Sequence, residues 1–182
     1  MISTNYDLLR EEVKSELINQ EGIYNPEDRD TNVRIVEDIR KAIDGLADGV
    51  TPSAKHIAEV AIATNDNLNI RDFLMGVQLE KDIDYVGEYI SLLGNVIVKD
   101  KAVPLATVFC GYLYQTNEVE LAKTMLLDVL TLDPNYSLAQ LLKRVFAAEW
   151  PAGSFKEMAE QLHSQVVNSI YAIEVEEVAD DN

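Results

Sequence analysis

With a single cysteine, Cys110, the chain can close no disulfide on itself. That residue stands in the apolar run ATVFCGYLY, where a small buried hydrophobe is its expected role. A reducing compartment follows, so the expected location is the cytoplasm. Basic residues are scarce: Lys plus Arg total 15 against 32 Asp plus Glu, for a net charge of −17. Such a surface repels phosphates and anionic lipid, so no direct nucleic-acid or membrane binding is expected and a protein partner is. No apolar run approaches the roughly 20 residues needed to span a bilayer, and MISTNYDLLREEVKSEL lacks the apolar segment of a signal peptide. The sequence has no phosphate-cradling loop, no Ser or Cys near a plausible base and no glycine-rich turn after a strand. The expected sets of catalytic residues, metal ligands and cofactors are therefore empty, and the expected protein is not an enzyme.

What is present is helical periodicity. Leu9, Val13 and Leu17 mark a short amphipathic helix, and EGIYNPEDRDT after it reads as an acidic linker on which that helix can dock or swing. Asp30 or Thr31 is the expected cap of a helix burying Ile35, Val36, Ile39, Ile43 and Leu46. Thr51 with Pro52 opens the next, through Ile57, Val60 and Ala61. Asn65-Asp66-Asn67 is a turn, after which Asn69 caps a helix bearing Ile70, Phe73, Leu74 and Val77. That helix is expected to pair with the following one, on which Val86, Tyr89, Ile90, Leu93 and Ile97 share a face. Lys99 to Ala102 is polar, Pro104 opens a helix through Leu105, Val108, Phe109 and Tyr112, and Gln115-Thr116-Asn117 turns the chain. Leu121, Ala122, Met125, Leu126, Val129 and Leu130 form the next stripe, which must stop at Asp133-Pro134. Leu138, Leu141, Leu142 and Val145 follow at once. Ser154 with Glu157 predicts a capping box before a long last helix through Met158, Leu162, Val166, Ile170 and Ile173.

The fold class is therefore all-α, with about nine helices. The expected divisions are an N-terminal helix and acidic linker over 1–29, a helical-hairpin domain over 30–175 and an acidic tail over 176–182. Alternate helices start at Ile70, Pro104 and Leu138, a step of 34 residues each time. A two-helix unit of that period resembles the tetratricopeptide repeat, with Ala122 where helices must cross closely. Stacked antiparallel hairpins follow, as a tetratricopeptide-like right-handed array or an irregular bundle. From Thr51 to about Leu162 the chain also resembles the C-terminal helical part of an actinobacterial and actinophage family, domain of unknown function 4192. Asn69-Ile70-Arg71-Asp72-Phe73-Leu74 and the run from Leu121 through Asp133-Pro134-x-Tyr136-Ser137-Leu138-Ala139 to Leu142 carry it. Where that family has a Gly-Asp-Gly turn this chain has Gln115-Thr116-Asn117-Glu118, and the α/β part of longer members is absent. The resemblance implies an intracellular actinobacterial or phage origin and no established activity.

Of the two histidines, His163 follows Glu160 at Glu-x-x-His spacing, half of a di-iron pattern; His56 has Ser53 in the matching place. Gln140 to Phe146 loosely resembles a sliding-clamp peptide but is also the apolar face of a helix. Tyr114, Lys143, Arg144 and Trp150 are the candidate partner contacts, because aromatic and Arg side chains dominate interface energetics. The leading expectation is a non-enzymatic protein–protein interaction module. Its alternative is an acidic mimic of nucleic acid that occupies the basic site of a DNA- or RNA-binding protein.

Overall fold

The computed structural model describes residues 6–96 and 102–172. Among the described residues there is no strand, and nine α-helices follow one another. They are α1 (Tyr6–Asn19), α2 (Arg29–Ala47), α3 (Ala54–Asp66), α4 (Leu68–Gly76), α5 (Ile83–Val96), α6 (Ala102–Gln115), α7 (Val119–Leu132), α8 (Ser137–Ala147) and α9 (Ala152–Tyr171). A 3₁₀ turn, Val77–Leu79, joins α4 to α5. Ile97, Lys99, Ile173 and the tail 176–182 lie outside the described residues.

The helices stand where periodicity predicts, but their first residues do not. Asp28 caps α2 in place of Asp30 or Thr31, accepting from the Thr31 hydroxyl at 2.6 Å and the Asp30 amide at 3.2 Å. Ser53 takes the role expected of Thr51, accepting from the His56 amide at 3.2 Å, so Pro52 precedes α3. Asn67, not Asn69, caps α4, and because it also ends α3 it is a one-residue joint between them. α6 starts two residues ahead of Pro104. α9 starts behind Pro151, which places Ser154 and Glu157 inside the helix, so the expected capping box does not form.

Two apolar cores meet at α6. The larger is built by α1 to α6 and the end of α9, with Ile35, Ile39, Ile57, Phe73, Tyr89 and Leu93 among its buried members. The smaller gathers Leu126, Val129, Leu142, Phe146 and Phe155 around Cys110, Leu113 and Tyr114 of α6. Met75 and Phe109 touch both. Gly111 lets the Met75 side chain lie close, since a Cβ on it would sit 2.8 Å from the Met75 methyl and push that flexible end aside. Cys110 is fully buried as expected, and burial pushes its thiol up to about 12, far from reactive range.

α1 is part of the larger core. Val13 is fully buried, α1 packs on α3 and α5, and Arg10 donates to the Asn95 carbonyl at 2.7 Å. Asn32 and Asn67 both donate to the Pro26 carbonyl, at 2.8 and 3.2 Å, while Tyr24 donates to Asn32 at 2.7 Å. The stretch read as a linker is thereby pinned, and α1 is docked on α3 and α5.

Pairing follows the 34-residue period only in part. α6, α7 and α8 pack as consecutive neighbours, whereas α4 packs on α9 and α6, and α5 on α2 and α6. The expected α4–α5 hairpin gives way because the 3₁₀ turn redirects the chain. α9 returns across α6 and α4 to α2, closing the helices into a bundle. Phe155 and Met158, near its start, lie in the small core, and Ile170 and Tyr171 at its end lie in the large one. Arg29 donates to the Tyr171 and Ala172 carbonyls at 3.1 and 2.9 Å, satisfying acceptors that the helix end leaves open.

Ala122 of α7 is fully buried in the small core, where α7 packs on α6. Ala122→Leu is expected to overpack that crossing and destabilise the fold by about 1–3 kcal/mol. An unchanged thermal midpoint would mean that the α6–α7 interface is loose enough to accept three further carbons.

Candidate functional site

The turn Asp133-Pro134-Asn135 reverses the chain between α7 and α8. Asp133 accepts from the Asn135 amide at 2.9 Å, and Gln140 reaches back to the Pro134 carbonyl at 2.6 Å. A groove of about 280 Å³ runs between the two helices. Lys123, Leu126, Leu127 and Leu130 line it from α7, and Lys143, Phe146 and Ala147 from α8, with Glu149 beyond the helix end. Both sets follow the i, i+3, i+4 spacing of one helix face. Leu126 and Phe146 are buried at its floor, while Leu127 is 63% exposed. Lys143 has no ion-pair partner among the described residues, and Lys123 pairs at 3.1 Å with Glu120, whose carboxylate is itself exposed.

The four candidate contacts separate. Lys143 lines the groove, Arg144 is exposed beside it in sequence, and Trp150 is 43% exposed just past α8. Tyr114 is a correction: it is 2% exposed, its hydroxyl donates to the Trp150 carbonyl, and its ring stacks on Phe146 at 4.3 Å. It is a core residue and offers a partner no surface. The clamp-like segment is likewise occupied within the fold, through the Gln140 bond and the burial of Phe146. Leu121 and Leu141 share apolar stripes with buried leucines in the sequence, yet they are 49% and 52% exposed, and the stripe read on α7 does not include Leu127. The adjacent pairs Leu126-Leu127 and Leu141-Leu142 carried the signal. Neighbours on a helix point about 100° apart, so one narrow core contact cannot cover both.

Both histidines have structural partners. His163 Nε2 donates to Glu80 at 2.7 Å, and its ring lies 5.5 Å from that of Phe73. Gly76 makes that packing possible, since a Cβ there would lie 2.7 Å from His163 Cγ. Among the described residues no group of three or more His, Cys, Asp or Glu is placed to hold a metal, so Glu160 and His163 do not complete the di-iron pattern there.

His56 Nε2 hydrogen-bonds the fully buried Tyr89 hydroxyl at 2.8 Å, beside Asp38, Glu59 and Arg34. Burial lowers its pKa below the usual 6.5, against the pull of the two carboxylates. The stability this provides is present above 6.5 and declines as pH falls from there through the folded value, because the unfolded chain takes the proton first. Urea unfolding across that window is expected to show stability falling with pH, with a smaller slope in His56→Gln. Equal slopes in the two proteins would assign the effect to other groups.

The resemblance to the family of unknown function is carried by the residues quoted for it alone: no family model matches the chain, and no curated protein or solved structure matches it.

Proposed function

We propose that the chain is a non-enzymatic protein–protein interaction module whose α7–α8 face receives a segment of another protein. The observation that carries this reading is the apolar groove itself, with Leu127 exposed in its wall. An apolar groove edged by an exposed leucine is what a partner-binding surface presents, whereas single scattered leucines need no explanation. Lys143 lines the groove, while Arg144 and Trp150 are exposed within a few residues of its α8 wall and are the adjoining contacts of this reading. A photo-crosslinking residue at position 127 of the full chain, expressed in its own host, is expected to capture a stoichiometric protein partner. Recovery of the chain alone would overturn the reading. The acidic-mimic alternative rests on the net charge of −17 and differs in one measurable respect: its binding would collapse between low and moderate salt.

A further inference from the structure

Helices α2, α6 and α8 end in the same way, and α8 does so on an unsuited residue. The left-handed position after each is held by Gly49, Asn117 and Glu149, at φ of 75°, 67° and 49°. In each case the amide of that residue bonds the carbonyl three residues back, and the next amide bonds the carbonyl five back. Glycine adopts this conformation freely and asparagine tolerates it, but the Cβ of a glutamate crowds the following carbonyl. The Glu149 carboxylate is also of the wrong sign for the carbonyl end of a helix. The five-back bond is 2.8 Å after α2 and after α6 but 3.4 Å after α8, so the strained joint is also the least tightly closed.

We propose that residues 148–151 are a hinge and that α9 exchanges between two copies of the chain. α9 packs on α4, α6 and α2, all of which precede α8, so a second copy offers it the same seat. Pro151 suits an open hinge, because proline favours extended backbone in the residue before it. Short hinges under strain are where such exchange begins. Opening relieves Glu149, worth roughly fivefold in each copy, and gives up the bond from the Tyr114 hydroxyl to the Trp150 carbonyl. A tethered helix meets its own seat at an effective concentration of about 1 mM, so exchange is within reach at that chain concentration.

The test refolds the full chain from urea at about 1 mM, in about 0.5 M salt to screen the −17 on each copy, and sizes it by light scattering. A dimer is expected that persists for hours after dilution to about 10 µM, since release requires α9 to leave its seat. Glu149→Gly is expected to lower its yield roughly fivefold or more. Glu149→Pro cannot adopt a φ of 49° and is expected to be mainly dimeric even when dilute. Asn69 of α4 and Ser169 of α9 are exposed and 3.4 Å apart at their polar atoms, so cysteines there can be bridged by a short bis-maleimide. In the exchanged dimer the bridge joins two chains; in a dimer of intact bundles it closes within one. No dimer of the wild type, equal yields for wild type and Glu149→Gly, dissociation within minutes of dilution, or bridges only within a chain would each overturn the proposal. If Glu149→Pro loses its helical circular dichroism, the Glu149→Gly comparison and the bridge decide.

Discussion

Tyr114→Ala is expected to destabilise the protein by about 3–5 kcal/mol, the range for truncating a buried aromatic. For a chain of this length that is a fall of roughly 6–20 °C in the melting temperature. Three elements meet on this side chain. Its ring stacks on Phe146 of α8 at 4.3 Å and 8° between planes, and meets the edge of Phe155 of α9 at 5.4 Å and 73°. Its hydroxyl donates to the Trp150 carbonyl in the turn between those helices. Removing the ring opens a cavity in the small core, and neighbours drawn from two helices and the turn between them cannot all collapse into it. Tyr114→Phe separates the two parts: it keeps the stacking and leaves the Trp150 carbonyl without this donor, at a cost of about 0.5–1.5 kcal/mol. Were Tyr114 a partner contact, the Ala variant would melt like the wild type and lose binding instead. A melting point within a degree or so of wild type would therefore overturn its placement in the core.

Why Tyr114 reads from sequence as a surface residue has a physical answer. It closes the last turn of an amphipathic helix just before a polar turn, a position that is half-exposed unless something distant covers it. Phe155, 41 residues further on, is what covers it. The helices themselves were legible because apolar residues recur at their period and because Pro134 and Pro151 allow the helical ladder little choice. Their caps were less so. Asp28, Asp30 and Thr31 are all competent caps, and the selection is made by the turn at Pro26, whose carbonyl is held by Asn32 and Asn67. Pairing was the least legible. Equal spacing of helix starts describes chain length between turns, but a three-residue 3₁₀ turn after Gly76 is enough to send α5 toward α2. Of the groove, Lys143 was visible as a basic residue in an acidic chain. Leu127 was hidden in an apolar stripe whose outer half nothing covers.

Arg40→Ala is expected to cost about 2–4 kcal/mol, because it strips the centre from the polar network that fastens α9 to the bundle. The guanidinium donates to both Glu80 oxygens at 2.7 and 2.9 Å, to Glu37 at 2.9 Å and to the Tyr171 hydroxyl at 2.6 Å, and lies 5.1 Å over the Phe73 ring. Glu80 in turn accepts from His163 of α9. Burial raises the Glu80 pKa, but the Arg40 and His163 hydrogen bonds outweigh it and hold the carboxyl below its usual 4.5. The network's contribution is accordingly present above pH 4.5 and lost as pH falls through the depressed value. The Arg40 and Glu80 side chains are 19% and 23% exposed, so water softens the loss relative to a fully buried pair, where it would reach about 3–5 kcal/mol. Arg40→Met keeps an apolar stem while removing the guanidinium, so its difference from Arg40→Ala isolates packing from charge. Coupling with Glu80→Gln in a double-mutant cycle is expected to exceed about 1 kcal/mol, as for residues in one network. Hydrogen exchange adds the locational readout: in Arg40→Ala the amides near Tyr171 are expected to lose protection before those of α7 and α8, which do not touch the network. Coupling near zero with uniform loss of protection would show α9 to be held by its apolar contacts, Phe155, Val166, Val167 and Ile170 among them, with the ion pairs contributing nothing to its return.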